Sequence, residues 1–219
     1  MSDKNSVNSF LRPLSAIAFA LLASNVSADT FEVTITNATR GETFTPRLIT
    51  THTEGNIFVG GQPALPEVAT IAESGNVTPA MELLANAGSL VTDTVVGDGL
   101  LGPGESQQVQ IEGNSGDLLT LIAMLIPTND AFVALDAVPL PESGSTTTTA
   151  VVYDAGTEPN DELCANIPGP RCMGEGDSPD VDGEGFIHVH AGIHGGGDLA
   201  VADYDWRNPA AKITIRRLP

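Results

Sequence analysis

Leu118-Leu119-Thr120-Leu121-Ile122-Ala123-Met124-Leu125-Ile126 is an apolar run of strand length. It leads directly into Pro127-Thr128-Asn129-Asp130 and then into a second β-type run, Ala131-Phe132-Val133-Ala134-Leu135. The first run is too uniformly apolar for an edge strand, and burial on both faces, as an inner strand of a sandwich, accounts for it. After a Ser/Thr-rich connection the chain reads Val151-Val152-Tyr153-Asp154-Ala155-Gly156-Thr157-Glu158. In each half a carboxylate stands where a β-rich segment breaks into a turn, and Gly156 permits a tight bend. Calcium takes about six to eight oxygens from carboxylates, carbonyls and water. The expectation is that Asp130, Asp154 and Glu158 converge on one calcium ion at the tip of a β-sandwich. The competing reading is that Asp154 caps a turn and Asp130 is solvated, both common fates of loop acids.

Working outward, Phe31-Glu32-Val33-Thr34-Ile35-Thr36-Asn37 alternates apolar and polar residues and predicts a half-buried antiparallel strand. A second strand is expected around residues 46–52. The period then changes: Leu65, Val68, Ile71 and Ala72 recur at three- and four-residue steps, and Gly75 is a natural stop. A second short helix is expected from Thr78, as N-cap with Pro79 in the first turn, to Leu84 or Ala87. Both helices are expected to cap one end of the sheets. Further strands are expected at residues 89–96, 106–111, 131–138, 186–190 and 211–217. Residues 139–149 read as a loop, and residues 155–185 as a long acidic excursion rich in Gly and Pro. The fold class is all-β, an antiparallel β-sandwich with two short capping helices and a long acidic loop.

The chain has 219 residues, which suits one domain. Residues 1–28 read as a signal peptide. Lys4 and Arg12 form a basic start, Leu14 to Leu22 a short apolar core, and Val26-Ser27-Ala28 precede a cut ahead of Asp29. The apolar core is too short to cross a bilayer. The expected product is one sandwich domain over residues 29–219, periplasmic or secreted, with no membrane span. The formal net charge is −19. Such a balance excludes a broad nucleic-acid-binding face, which needs clustered Lys and Arg. The acidic excess either keeps an exported protein soluble or is partly local and binds divalent cations. Cys164 and Cys172 are the two cysteines. In an oxidising compartment a disulfide between them is the expected state, with a thiolate metal site as the competitor.

Several of these stretches resemble the spondin N-terminal domain family. Residues 123–135 are similar to the family's S-M-I-x-P-S-P-D-W-F-V-G-L run, and Asp154-Ala155-Gly156-Thr157-Glu158 to its D-A-G-T-D motif. Residues 64–75 resemble the family's short helix, and Arg207-Asn208-Pro209 with the strand that follows resembles the tail of bacterial members. The resemblance covers roughly residues 31–217. It implies a C2-like β-sandwich, a calcium ion on Asp130, Asp154 and Glu158, and matrix or cell-surface adhesion in animal members, while leaving a bacterial partner open; a protein or glycan at the neighbouring loop face is the expectation here. Two departures stand out: Ala131 replaces the family's Trp, and Glu158 replaces its final Asp. The longer Glu158 carboxylate still coordinates calcium, from a shifted position.

Two other clusters offer metal chemistry. Asp177-Ser178-Pro179-Asp180-Val181-Asp182-Gly183-Glu184-Gly185 echoes calcium loops without the full EF-hand spacing, and a solvated loop is the competing reading. In His188-Val189-His190 the two imidazoles share a strand face, and His194 follows in a Gly-rich turn. His188, His190 and His194 therefore form a candidate Cu or Zn chelate, with His52 as a further partner. Against this stands ordinary bonding of these rings to carbonyls or to Asp203 or Asp205. No Gly-x-Ser-x-Gly elbow, phosphate loop or dinucleotide fingerprint occurs. Three functions follow. The first is a non-enzymatic calcium-binding module for adhesion or partner binding. The second is a periplasmic transition-metal-binding protein, and the third a hydrolase built on the histidines.

Overall fold

The structure is a computed structural model describing residues 28–176 and 182–219. The expected leader, apart from Ala28, and residues 177–181 of the acidic loop lie outside the described residues. In chain order the elements are β1 (Asp29–Asn37), β2 (Thr43–Phe44), β3 (Arg47–His52), α1 (Pro66–Ser74), α2 (Thr78–Asn86), β4 (Val91–Gly97), β5 (Ser106–Gly113), β6 (Leu118–Ile126), β7 (Ala131–Pro139), β8 (Ser145–Asp154), β9 (His188–Val189), α3 (Val201–Tyr204) and β10 (Ala211–Arg217). The fold is all-β. Among the described residues no helix is long and apolar enough to cross a membrane.

One antiparallel path, β4-β3-β6-β7-β8-β10-β1-β5, runs through the molecule, with β2 beside β6 and β9 beside β8. The path folds over on itself at β8. Ser145–Ala150 pair with β10, whereas Val151–Asp154 pair with β7. The single long strand therefore belongs to both layers. Phe31, Val33 and Ile35 of β1 and Ile213 and Ile215 of β10 meet Leu119, Leu121, Ala123 and Leu125 of β6 in one core between the layers. Side chains close the far side. Glu112 N–H on β5 donates to Asp93 Oδ2 on β4 at 2.9 Å, and Thr51 Oγ1 on β3 donates to the Glu112 carbonyl at 2.6 Å. The buried Arg47 guanidinium donates to the carbonyls of Thr45 at 3.1 Å, Gly99 at 2.8 Å and Asp98 at 2.8 Å, and also to Gln107 Oε1.

β6 is buried along almost its whole length, as its composition requires. One face fills the sandwich core. On the other, Ile122 packs with Leu48, Phe132 and Ala134 against Val68, Ile71 and Ala72 of α1. The helix thus lies across the outer face of the sheet rather than at its end, which corrects the expected position. A sheet buried on both faces needs such a cover. α1 stops where expected, at Gly75 (φ 70°), whose N–H returns to the Ile71 carbonyl. Thr78 is the first residue of α2 rather than its cap, and its N–H is taken by Asn76 Oδ1 at 3.0 Å.

Two other boundaries differ from expectation. Residues 145–149, read as loop, begin β8. Their face carries threonines, and Thr147 and Thr214 join hydroxyls at 3.1 Å, so the strand shows no apolar alternation. The strand expected at 186–190 shortens to His188–Val189. Cys164 and Cys172 form the expected disulfide, with Cα atoms 4.6 Å apart, and no free cysteine remains for a thiolate site.

Candidate metal centre

The turn after β6 is locked to the loop after β8. Asn129 Nδ2 donates to Asp161 Oδ1 at 2.9 Å, and Asn129 Oδ1 accepts the Glu162 N–H at 3.2 Å. Asp130 is fully buried. Its carbonyl accepts the Ala155 N–H at 3.1 Å. Its Oδ2 accepts the N–H groups of Thr157 at 2.8 Å and Glu158 at 3.1 Å, and the Thr157 hydroxyl at 3.2 Å. Its Oδ1 is buried with no hydrogen-bond donor. Burial, and then the neighbouring Asp154 carboxylate, push the Asp130 carboxyl up to about 7, against the pull of those hydrogen bonds.

Asp154 ends β8 directly opposite Ala131. It too is buried, with Oδ1 accepting the Gly156 N–H at 2.7 Å and Oδ2 accepting Asn160 Nδ2 at 2.6 Å. Its carboxyl is raised, chiefly by burial and further by Glu184, while Asn160, Gly156 and His188 oppose the rise. Gly156 has φ 68°, and a Cβ there would stand 2.4 Å from the Phe186 carbonyl oxygen. Only glycine suits a left-handed residue in such close contact. Glu158, 1% exposed, completes the corner.

Asp130 and Asp154 thus stand as neighbouring carboxylates, and Glu158 reaches them through its backbone N–H on Asp130 Oδ2. An all-oxygen set with a buried carboxylate oxygen lacking a donor fits calcium. The group whose ligand atoms all lie within 4.8 Å of one another is nevertheless a different one, Asp154, Glu184 and His188. His188 faces Asp154 across the β8–β9 ladder. Glu184 arrives because the acidic loop folds back on this corner, where the Gly185 N–H donates to the Gly156 carbonyl at 2.8 Å. The acidic loop, read from sequence either as a further ion site or as a solvated loop, therefore contributes Glu184 to the same corner.

No family model matches this chain, and no curated protein matches it either. The functional reading therefore rests on the residues themselves.

The three histidines occupy three different environments. His190 is buried against Trp206, with ring centroids 5.0 Å apart. Its Nδ1 accepts the Gly192 N–H at 2.9 Å, so its Nε2 carries the proton and donates to Asn160 Oδ1 at 3.0 Å. Burial first, then His188 and His194, lower its pKa to about 4. At neutral pH the 3.7 Å approach of Nε2 to Asp154 is therefore not an ion pair. Both nitrogens are committed. His194 is largely exposed, with Nδ1 3.8 Å from Glu162 Oε1. His188 is half-buried beside Asp154, and its Nδ1 is enclosed without a hydrogen bond. His52 lies elsewhere, between the Glu54 carbonyl at 3.1 Å and Thr120 Oγ1 at 2.9 Å.

Several organising residues left no sequence signal. Glu162 is buried at φ 58°, and its carboxylate accepts the N–H groups of His194 and, at 2.8 Å, Gly196. Its carbonyl accepts the Asp198 N–H at 2.8 Å, so Glu162 holds the Gly-rich turn in place. Asn160 joins Asp154 to His190. Both belong to a segment without periodicity, where contacts between loops set each residue's role.

Proposed function

We propose that this chain is an exported, non-enzymatic module in which a calcium ion pins two loops at one end of the β-sandwich for adhesion to a protein or glycan partner. Asp130, Asp154 and Glu158 supply the carboxylates. The observation that carries this reading is Asp130, fully buried beside a second buried carboxylate, with Oδ1 lacking any donor. Two adjacent carboxylates at that depth repel each other and are poorly solvated as anions, and a hard dication relieves both penalties. The resemblance of residues 123–135 and 154–158 to the spondin N-terminal domain family supports the same assignment. The signal-like start and the disulfide support export.

The test is thermal unfolding of the chelator-treated protein with and without calcium. A ligand of the native state raises the midpoint by mass action, with about 2.7 kcal/mol gained at a hundredfold excess over Kd. Calcium is expected to raise the midpoint, and Asp154→Ala to abolish the rise. An unchanged midpoint in saturating calcium would remove this reading.

A further inference from the structure

The geometry points to a second metal chemistry at the same corner: Asp154, Glu184 and His188 form a mixed nitrogen–oxygen site for a borderline divalent transition metal of the Zn2+ class. This inference does not rest on the calcium reading. It shares Asp154 with that reading but needs neither Asp130 nor Glu158.

The three ligand atoms lie within 4.8 Å of one another. Donors bound tetrahedrally to one zinc ion at about 2.0–2.2 Å stand roughly 3.3–3.6 Å apart, so the three need draw together by no more than about 1.5 Å. The donor set also discriminates between ions. Calcium takes oxygen, whereas neutral imidazole with carboxylates suits zinc and its first-row neighbours. Two carboxylates and one imidazole leave a coordination position for water or a partner's side chain.

The backbone fixes two of the three donors. Asp154 and His188 are direct cross-strand partners, so their side chains leave the ladder on the same face. The third is delivered by the fold-back of the acidic loop, and Asn160 Nδ2 touches both Glu184 Oε1 at 3.5 Å and Asp154 Oδ2 at 2.6 Å. The second observation is the imidazole itself. His188 Nδ1 is enclosed without a hydrogen-bond partner, whereas both nitrogens of His190 are committed. A ring with an enclosed, unpartnered nitrogen that also offers a ligand atom to two carboxylates is an environment that a metal completes. His190 orients Asn160, and His194 belongs to Glu162, so neither is needed as a ligand.

The experiment uses the untagged chain, stripped with chelator and titrated with Zn2+ by calorimetry and with Co2+ by visible absorption. The expected result is one site per chain. His188→Gln and, separately, Glu184→Gln should weaken Zn2+ by at least about tenfold and change the Co2+ spectrum, since losing a ligand costs no less than losing its support. His194→Ala should leave both titrations unchanged. Glu184 is exposed, so its variant keeps the test open should His188→Gln fail to fold. Absence of Zn2+ and Co2+ binding, or binding unaffected by both variants, overturns the site. A calcium-induced rise in midpoint together with that absence leaves the calcium reading standing. Zn2+ binding that depends on His188, with no calcium effect, does the reverse.

Discussion

Asp130 Oδ2 accepts the Thr157 N–H at 2.8 Å, so the side chain of one loop corner terminates the backbone of the other. The second oxygen of the same carboxylate is buried near Asp154 with nothing to donate to it.

Asp130→Asn separates the two oxygens' roles. An amide oxygen still accepts the Thr157 and Glu158 N–H groups, but the charge that draws a cation is gone. Calcium should no longer raise the melting midpoint, while the metal-free variant should be at least as stable as the parent at pH 8. A calcium shift of parental size in Asp130→Asn would show that the ion sits elsewhere.

Protons and calcium should compete at this carboxylate. Its folded pKa, about 7, lies above the ordinary 3.8. Between those values the unfolded chain releases the proton and the metal-free native state keeps it, so stability falls as pH rises through the interval. Calcium binds the ionised form. The calcium-induced rise in midpoint should therefore be larger at pH 8 than at pH 5.5, and equal shifts at both would exclude Asp130 as the titrating ligand.

Glu42 gives a separate pH effect. It is fully buried, and neither carboxylate oxygen has a hydrogen-bond partner. Burial, and secondarily Asp205, push it up to about 9 from an ordinary 4.5. A raised acid favours folding least where the unfolded state has ionised, so it costs stability progressively from about pH 4.5 to 9. Glu42→Gln should remove that slope, up to about 1.4 kcal/mol per pH unit, leaving the variant more stable than the parent in urea melts at pH 9. Parallel stability curves for the two proteins would refute it.

Arg47 closes the sandwich without a carboxylate partner, by donating to three carbonyls and one side-chain amide. Arg47→Met should cost about 3 kcal/mol or more, because three carbonyls lose their donor and each buried one left unpaired costs about 1–3 kcal/mol. Arg47→Lys should recover only part, since an ammonium cannot reproduce the planar fork. Chemical denaturation of the three proteins decides this, and full rescue by Lys would refute the geometry.

Gly156→Ala should destabilise by about 2 kcal/mol or more, through left-handed strain and the clash with Phe186. Its calcium response should fall as well, because the bend sets the direction of Asp154. A neutral substitution in denaturant would mean that the turn relaxes freely.

The sequence by itself determined the elements whose chemistry is local. The apolar run 118–126 is β6 residue for residue, 211–217 is β10, and Gly75 stops α1. Hydrophobic period and backbone permissiveness belong to neighbouring residues, so they are readable along the chain. The meeting of Asp130 and Asp154 was legible for a related reason: each acid stands at a strand end, where side chains must leave the sheet. Only the tertiary structure decided which acids and imidazoles share a space. Glu184 joins Asp154 because the acidic loop folds back on Gly156, and His188 is divided from His190 because a cross-strand register and a tryptophan give them different neighbours. A ligand set is a property of distances between segments remote in sequence, and no local pattern encodes those distances.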